Sequence, residues 1–230
     1  MRQLLIFLKE PEPGKVKTRL VPSLGERRAC EVYRACVELT LDRLAAWRDE
    51  AIVCVDPPDA LGRVRGWLGS SWSVWPQEGA DLGERLAAAT GRAFKESAHR
   101  VVVIGTDSPW LQRDDIDAAF GALADADMVL GPAEDGGYYL IGLSRSLPEL
   151  FEGIEWSTAS VCEQTTARAR ALHLVTRMLR LGYDVDLVED VARFVAEEGG
   201  RSASVPHLVE AIGRLVRAGA VVSGRERCRN

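Results

Sequence analysis

Short apolar runs bounded by turn residues recur along this chain with helical patterns between them, and that alternation most constrains its fold. The runs lie at 2 to 8 (RQLLIFL), 51 to 55 (AIVCV), 100 to 105 (RVVVIG) and 127 to 131 (DMVLG), and they read as buried strands. Between them, residues 25 to 46 place Cys30, Val32, Tyr33, Cys36, Val37, Leu41 and Leu44 at helical spacing, and 82 to 97 place Leu82, Leu86, Ala89 and Phe94 likewise. Alternation of this kind implies right-handed crossovers and a parallel sheet, with ligands at the carboxyl ends of the strands.

After 131 the pattern changes. YYLIGL at 138 to 143 is a strand directly after a Gly-Gly turn, followed by a helix from about 158 to 171, a strand-like stretch near 172 to 180 and a short helix over 187 to 197. Residues 205 to 218 carry an amphipathic pattern ahead of a polar tail, SGRERCRN, which is expected to fray. With no internal repeat and no low-complexity linker, the expectation is one α/β domain over 1–198 and a C-terminal helical extension with a polar tail over 199–230.

Composition narrows the partners. At 230 residues, 47% apolar and 27% charged, the chain can bury one sizeable core. A net charge of −5 with no face-wide basic run argues against DNA or RNA. The apolar stretch at the N-terminus is too short for a signal segment or a membrane span. The cysteines Cys30, Cys36, Cys54, Cys162 and Cys228 form no CxxC pair and are odd in number, which suits a reducing cytosol and a cytoplasmic protein. His99, His173 and His207 lack metal-ligand spacing, so a histidine-built metal site lacks material.

Chemistry concentrates where strands end. The loop from Lys9 to Leu20 carries Lys9, Lys15, Lys17 and Arg19, with Gly14 allowing close backbone approach, and reads as a phosphate cradle. It is not a Walker loop, because the first glycine of that pattern is replaced by Lys9. Its plain alternative is a solvated basic turn. Gly105-Thr106-Asp107-Ser108-Pro109 follows an apolar strand, so Asp107 is placed to hold magnesium or manganese with nucleotide phosphates, unless it merely caps a turn.

Glu134-Asp135-Gly136-Gly137-Tyr138 is an acidic tight turn that presents Asp135 to a ligand, or simply a good hairpin turn. Asp184 and Asp186 alternate ahead of a helix; one of them completes a metal site, or Asp186 caps that helix in a box with Glu189. Asp81 and Glu84 form another capping box, and Arg85 in that first turn is within reach of a phosphate or ribose. Ser157 or Thr158 reads as an N-cap, and Trp156 as a packing residue.

In this order, KxKTRL, DLGERL, GTDSP, GPAxDGGYYLIG, WST and DVDxxED resemble a bacterial family of radical-SAM/selenodomain-associated transferases, also described as arsenosugar-biosynthesis glycosyltransferases, over residues 2 to 196. More distantly, the first loop and the acidic motifs resemble phospholactate guanylyltransferases. The resemblance implies the GT-A, or nucleotide-diphospho-sugar transferase, fold: a single-domain αβα sandwich on a mostly parallel mixed sheet. It also implies a cation, Mg2+ or Mn2+, shared by Asp107 and Asp186. Where the family has DVDTPEDL this chain has Leu187 and Val188, and the strict DxD signature is absent, since Thr106-Asp107-Ser108 carries one acid.

The leading expectation is therefore glycosyl transfer from a nucleotide-sugar to a small-molecule acceptor. Lys17, Arg19, Asp107 and Asp135 carry catalysis. Lys9, Gly14, Lys15, Lys17, Arg19, Arg85, Thr106, Gly136 and Gly137 bind the nucleotide, and Asp107 and Asp186 hold the metal. The second expectation is nucleotidyl transfer from a nucleoside triphosphate to a phosphorylated small acceptor, releasing pyrophosphate. The third is a nucleotide-binding protein without turnover.

Overall fold

In β1 (Arg2–Lys9), Leu4, Leu5, Ile6 and Leu8 are each at most 1% exposed, so the strand is covered on both faces, as an unbroken apolar run requires. The computed structural model describes residues 1–198 and 213–214. The chain forms two compact units. The first comprises residues 1–8, 46–105 and 112–183, and the second 9–45, 106–111 and 184 onward.

The first unit holds a seven-stranded sheet. Its further strands are β2 (Ala51–Asp56), β3 (Ser73–Pro76), β4 (Arg100–Ile104), β5 (Met128–Pro132), β6 (Tyr138–Leu143) and β7 (Thr176–Met178), in the spatial order β3-β2-β1-β4-β6-β5-β7. The pairs β2–β3, β1–β4 and β5–β7 are parallel, while β6 runs antiparallel to β4 and β5. The reversal has a local cause: only residues 133 to 137 join β5 to β6, and so short a connection makes a hairpin, not a crossover.

Four helices belong to this unit: α3 (Leu61–Leu68), α4 (Leu82–Lys95), α5 (Arg113–Ala122) and α6 (Val161–Ala171). One face of the sheet presents Leu5, Cys54, Val101, Val103, Leu130, Ile141 and Leu143 to Leu86, Ala89 and Ala93 of α4 and Ala169 of α6 in one continuous core. The opposite pleat carries Val102 and Gly142, and a Cβ on Gly142 would stand 3.1 Å from Leu123, just beyond α5. At β4 and β6 the sheet is thus covered on both faces within its own unit.

The expected strands stand within a residue or two of their places, and the long helices within three, the helix expected over 25 to 46 ending at Arg43. The strand β3 and the helices α3 and α5 are additions. The helix expected from about 158 begins at Val161; its N-cap residue is Ser160, with no side-chain cap, while Thr158 Oγ1 turns back to the Glu155 carbonyl at 2.7 Å. The stretch expected near 172 to 180 narrows to Thr176–Met178. The amphipathic pattern at 205 to 218 and the tail lie outside the described residues, apart from the helical Gly213 and Arg214.

Candidate active site

The second unit contains α1 (Val21–Leu24), α2 (Glu26–Arg43) and α7 (Val188–Glu198), with the loop after β1, the loop after β4 and the segment ahead of α7. The helix α2 is its scaffold, burying Cys30, Val32, Tyr33, Cys36 and Val37 as the helical spacing requires. Tyr33 does more than pack. Its hydroxyl donates to the Lys9 carbonyl at 3.1 Å, accepts from the Lys9 amide at 2.8 Å and lies 3.3 Å from Thr106 Oγ1. Burial raises its pKa, so the phenol stays protonated and pins the starts of both loops to one helix.

Lys17 sits at the centre. Its backbone is left-handed at φ 46°, ψ 44°, uncommon for a residue with a side chain and costing on the order of 1–3 kcal/mol. That conformation buries the side chain to 2% exposure, where Nζ donates to Asp107 Oδ1 and, at 3.0 Å, to Asp186 Oδ1. Burial alone would lower the pKa of this lysine, but the charges of Asp107 and Asp186 outweigh it and hold the group protonated, well above the ordinary value. Arg19 NH1 reaches Asp186 Oδ2 at 3.4 Å from a side chain that is 65% exposed.

A backbone bond accounts for the meeting of residues so far apart in sequence: the Val185 amide donates to the Asp107 carbonyl at 2.8 Å, laying residues 184 to 186 along the loop after β4. Asp184 then accepts from Ser108 Oγ at 2.6 Å. Burial, and after it the neighbouring Asp107, pushes the Asp184 carboxyl up to about 6. The expected box of Asp186 with Glu189 is not formed. Asp190 Oδ2 instead accepts from the amides of Asp186 and Leu187, at 3.1 and 2.7 Å. Asp190 thus does the capping work and leaves the Asp186 carboxylate to Lys17 and Arg19.

Two carboxylates, on side chains that are 49% (Asp107) and 31% (Asp186) exposed, face one buried ammonium, and Asp186 also meets the exposed Arg19. The oxygen-only donor set suits Mg2+ or Mn2+. Among the described residues no group of three or more His, Cys, Asp or Glu side chains could hold a metal ion. A cation there would draw the rest of its shell from phosphate oxygens and water. Gly14 lies in the same unit at φ +80°, a Cβ there standing 3.2 Å from the Glu26 carboxyl group, and Lys15 makes an exposed ion pair with Glu12 at 2.9 Å.

The remaining expected residues lie in the first unit and hold their own loops. Asp81 Oδ1 caps α4 by accepting from the Glu84 amide at 2.8 Å, and Glu84 reaches the Ala80 amide at 2.8 Å. Arg85 is tied to Asp56 at 2.9 Å and to the Gly79 carbonyl at 3.1 Å. Asp135 Oδ1 accepts from the Gly137 amide at 2.9 Å, closing the turn. Gly136, at φ +88°, passes so close to the next segment that a Cβ would lie 1.9 Å from the Ala159 carbonyl oxygen. Gly83 meets Trp156 in the same way, Nε1 standing 2.6 Å from a Cβ there, so Trp156 packs as expected and fixes the start of α4.

Ser108, Asp184 and Tyr33 join the cluster and are not among the expected site residues. The alternating acids at 184 and 186 signal the second of these; nothing local signals the others.

A family model described as "Uncharacterized protein conserved in bacteria (DUF2064)" matches residues 40–158. A crystal structure from Desulfovibrio desulfuricans G20, provisionally named a nucleotide-diphospho-sugar transferase, superposes with a TM-score of 0.85 at 34% identity, covering 95% of this chain and 97% of that one. A phosphoenolpyruvate guanylyltransferase of Sphaerobacter thermophilus is 27% identical over 181 residues, 76% of this chain and 84% of the relative. A cytidylyltransferase of Leptospira borgpetersenii has the same fold, with a TM-score of 0.57 at 15% identity over 93% of this chain and 94% of its own. The α/β architecture with its mixed, mostly parallel sheet is therefore that of the nucleotide-diphospho-sugar transferases.

Proposed function

This chain belongs to the bacterial DUF2064 family, and from that premise we propose that it is a nucleotidyltransferase, moving a nucleoside monophosphate from a triphosphate to a small phosphorylated acceptor. It is an enzyme of the transferase class, which sets aside binding without turnover. The observation that carries the proposal over glycosyl transfer is the 181-residue likeness to a guanylyltransferase, so GTP and phosphoenolpyruvate are the first substrates to offer. The geometry supports it: the loop after β4 has one acid, and the second carboxylate of the pair comes from Asp186.

In this reading an oxygen of the acceptor phosphate attacks the α-phosphorus, the bond to the β-phosphate oxygen breaks, and pyrophosphate leaves. Lys17 holds Asp107 and Asp186 side by side. The exposed Arg19 and Lys15 meet phosphate oxygens, Gly14 and the backbone at Lys9 and Thr106 let the triphosphate approach, and Asp135, Gly136, Gly137 and Arg85 belong to ligand-facing loops. Mg2+ or Mn2+ at the two carboxylates would spread charge at the reacting phosphate. We place the enzyme in the cytoplasm, on the free cysteines Cys30, Cys36, Cys54 and Cys162 among the described residues; no helix among those residues is long and apolar enough to cross a membrane. The domain proper is residues 1–198, with 199–230 as an extension.

Glycosyl transfer is the second reading, favoured by the 34% identity to the Desulfovibrio protein and by the motif order of the radical-SAM/selenodomain-associated family. Thermal shift separates the two. GTP with Mn2+ at a hundredfold its Kd is expected to add about 2.7 kcal/mol of stability and to raise Tm by about 5–10 °C, an effect lost in Asp107→Ala. Stabilisation by nucleotide-sugars alone would move the assignment to glycosyl transfer.

A further inference from the structure

Helix α2 ends at Arg43, whose side chain is 2% exposed and grips two chain segments at once. One guanidinium nitrogen, NH1, donates to the carbonyl of Pro109, two residues past Asp107. The other, NH2, donates to Glu198, itself 7% exposed, at the last turn of α7. The guanidinium also lies 5.9 Å from the ring centroid of Phe194, one turn earlier on the same buried face of α7. That helix begins two residues after Asp186, and its first turn is closed by Asp190 on the Asp186 amide. Arg43 therefore touches both segments that carry the paired aspartates and neither aspartate itself.

Stability is a poor explanation for this pair. Desolvating an arginine and a glutamate offsets most of their attraction, and apolar residues of similar volume usually serve as well. Arg43 Nε is buried with no hydrogen-bond partner among the described residues, so the guanidinium is not even fully satisfied. What the pair supplies is geometry. An α-helix is a stiff rod of about 1.5 Å per residue, so fixing α7 at Phe194 and Glu198 fixes the direction in which its first turn presents Asp186.

We propose that Arg43 is a positioning residue for the Asp107–Asp186 pair: by holding the Pro109 carbonyl and Glu198 together it sets the separation of the two carboxylates that would hold a divalent cation. The inference rests on the nucleotidyltransferase reading for its ligand and on the second unit alone for its geometry.

The test uses full-length wild type, R43K, E198Q, R43M/E198M, D107A and, as a control on the outer face of α7, R193A. Mn2+ binding in the presence of GTP is followed by electron paramagnetic resonance, with Tm and turnover measured in parallel. Loss of a group hydrogen-bonded to a metal ligand typically weakens metal binding 10- to 100-fold, and Arg43, one step further out, is expected at the lower end of that range. R43K is therefore expected to raise the half-saturating Mn2+ concentration by about tenfold or more, and R193A to leave it unchanged. R43M/E198M carries no buried charge at the clamp. It is expected to melt within a few degrees of wild type while keeping the weakened Mn2+ binding, and it carries the test if R43K or E198Q does not fold. Wild-type Mn2+ affinity in a folded R43M/E198M overturns the proposal and leaves the pair a packing feature. Mn2+ binding that survives D107A overturns the shared-cation reading itself, and the role of Arg43 with it.

Discussion

Lys17→Met is expected to lower turnover by about 10²–10³-fold, the usual cost of removing one preorganised charge-bearing donor from a site. Methionine has nearly the volume of the lysine stem, so the buried cavity stays filled. What disappears is the ammonium between Asp107 and Asp186, and the two carboxylates are left facing one another. Removing one partner of a buried ion pair costs about 3–5 kcal/mol where the orphaned charge is buried. Here the orphans are 49% and 31% exposed, so solvent screens them and about 1–3 kcal/mol is expected at low salt. Part of that loss should be recovered at high ionic strength, which weakens repulsion between exposed charges. Lys17→Arg should not rescue turnover, because a planar fork cannot take the place of a compact ammonium at φ 46° in a site closed to 2% exposure. Steady-state kinetics and urea unfolding at two salt concentrations check both parts; a K17M enzyme within tenfold of wild type would sink the catalytic role of the cluster.

Gly136→Ala is expected to be the most destabilising substitution in the acidic turn, by about 2–5 kcal/mol. It combines two costs, a side chain in the left-handed region at about 1–2 kcal/mol and overpacking at about 1–3 kcal/mol, because its Cβ would lie 1.9 Å from the Ala159 carbonyl oxygen. Two neighbours separate the costs. Gly153→Ala shares the positive φ, at +71°, but meets nothing within 4 Å, so only the backbone penalty of about 1–2 kcal/mol should appear. Gly137 has no such φ, and the nearest atom to its Cβ is a carboxylate oxygen of Asp135 at 3.2 Å, so Gly137→Ala should stay within about 1 kcal/mol of wild type. Urea midpoints ranked G136A, G153A, G137A from least to most stable are the expected result. Equal midpoints for G136A and G153A would show that the 158 to 162 segment yields freely, and that the turn is not held by it.

Legibility from sequence divides along physical lines. Buried strands such as β1 and β4 were plain, because a strand covered on both faces is an unbroken apolar run. β3 was not: at four residues, with a tryptophan and a proline, it carries too little periodicity to stand out. In the cluster, Asp107 and Asp186 were legible from their places beside a strand end and a helix start. Lys17 was legible only as one of four basic residues in a loop. Nothing in KxKTRL says that Lys17 is buried while Lys15 and Arg19 remain 67% and 65% exposed, because that depends on a left-handed backbone and on carboxylates 90 and 169 positions away. Tyr33 could be read as a core residue by spacing, yet its hydroxyl partners are set by tertiary packing alone. Asp186 reads from sequence as helix cap or metal ligand, and the capping role falls to Asp190, four residues on.

Glycosyl transfer led the sequence reading because the motif order resembles a glycosyltransferase family, while the single acid of Thr106-Asp107-Ser108 already kept nucleotidyl transfer in view. The likeness to a guanylyltransferase over 76% of the chain tips that balance. Both reactions use the same charges, so substitutions at Lys17, Arg19 or Asp107 do not tell them apart. The products do. The direct measurement is the phosphate product released when the enzyme is given GTP, phosphoenolpyruvate and Mn2+, with Asp107→Ala in parallel. Pyrophosphate formed in step with a guanylylated acceptor, and lost in the variant, is the predicted result; nucleoside diphosphate released from a nucleotide-sugar, with no pyrophosphate from any triphosphate, would contradict it.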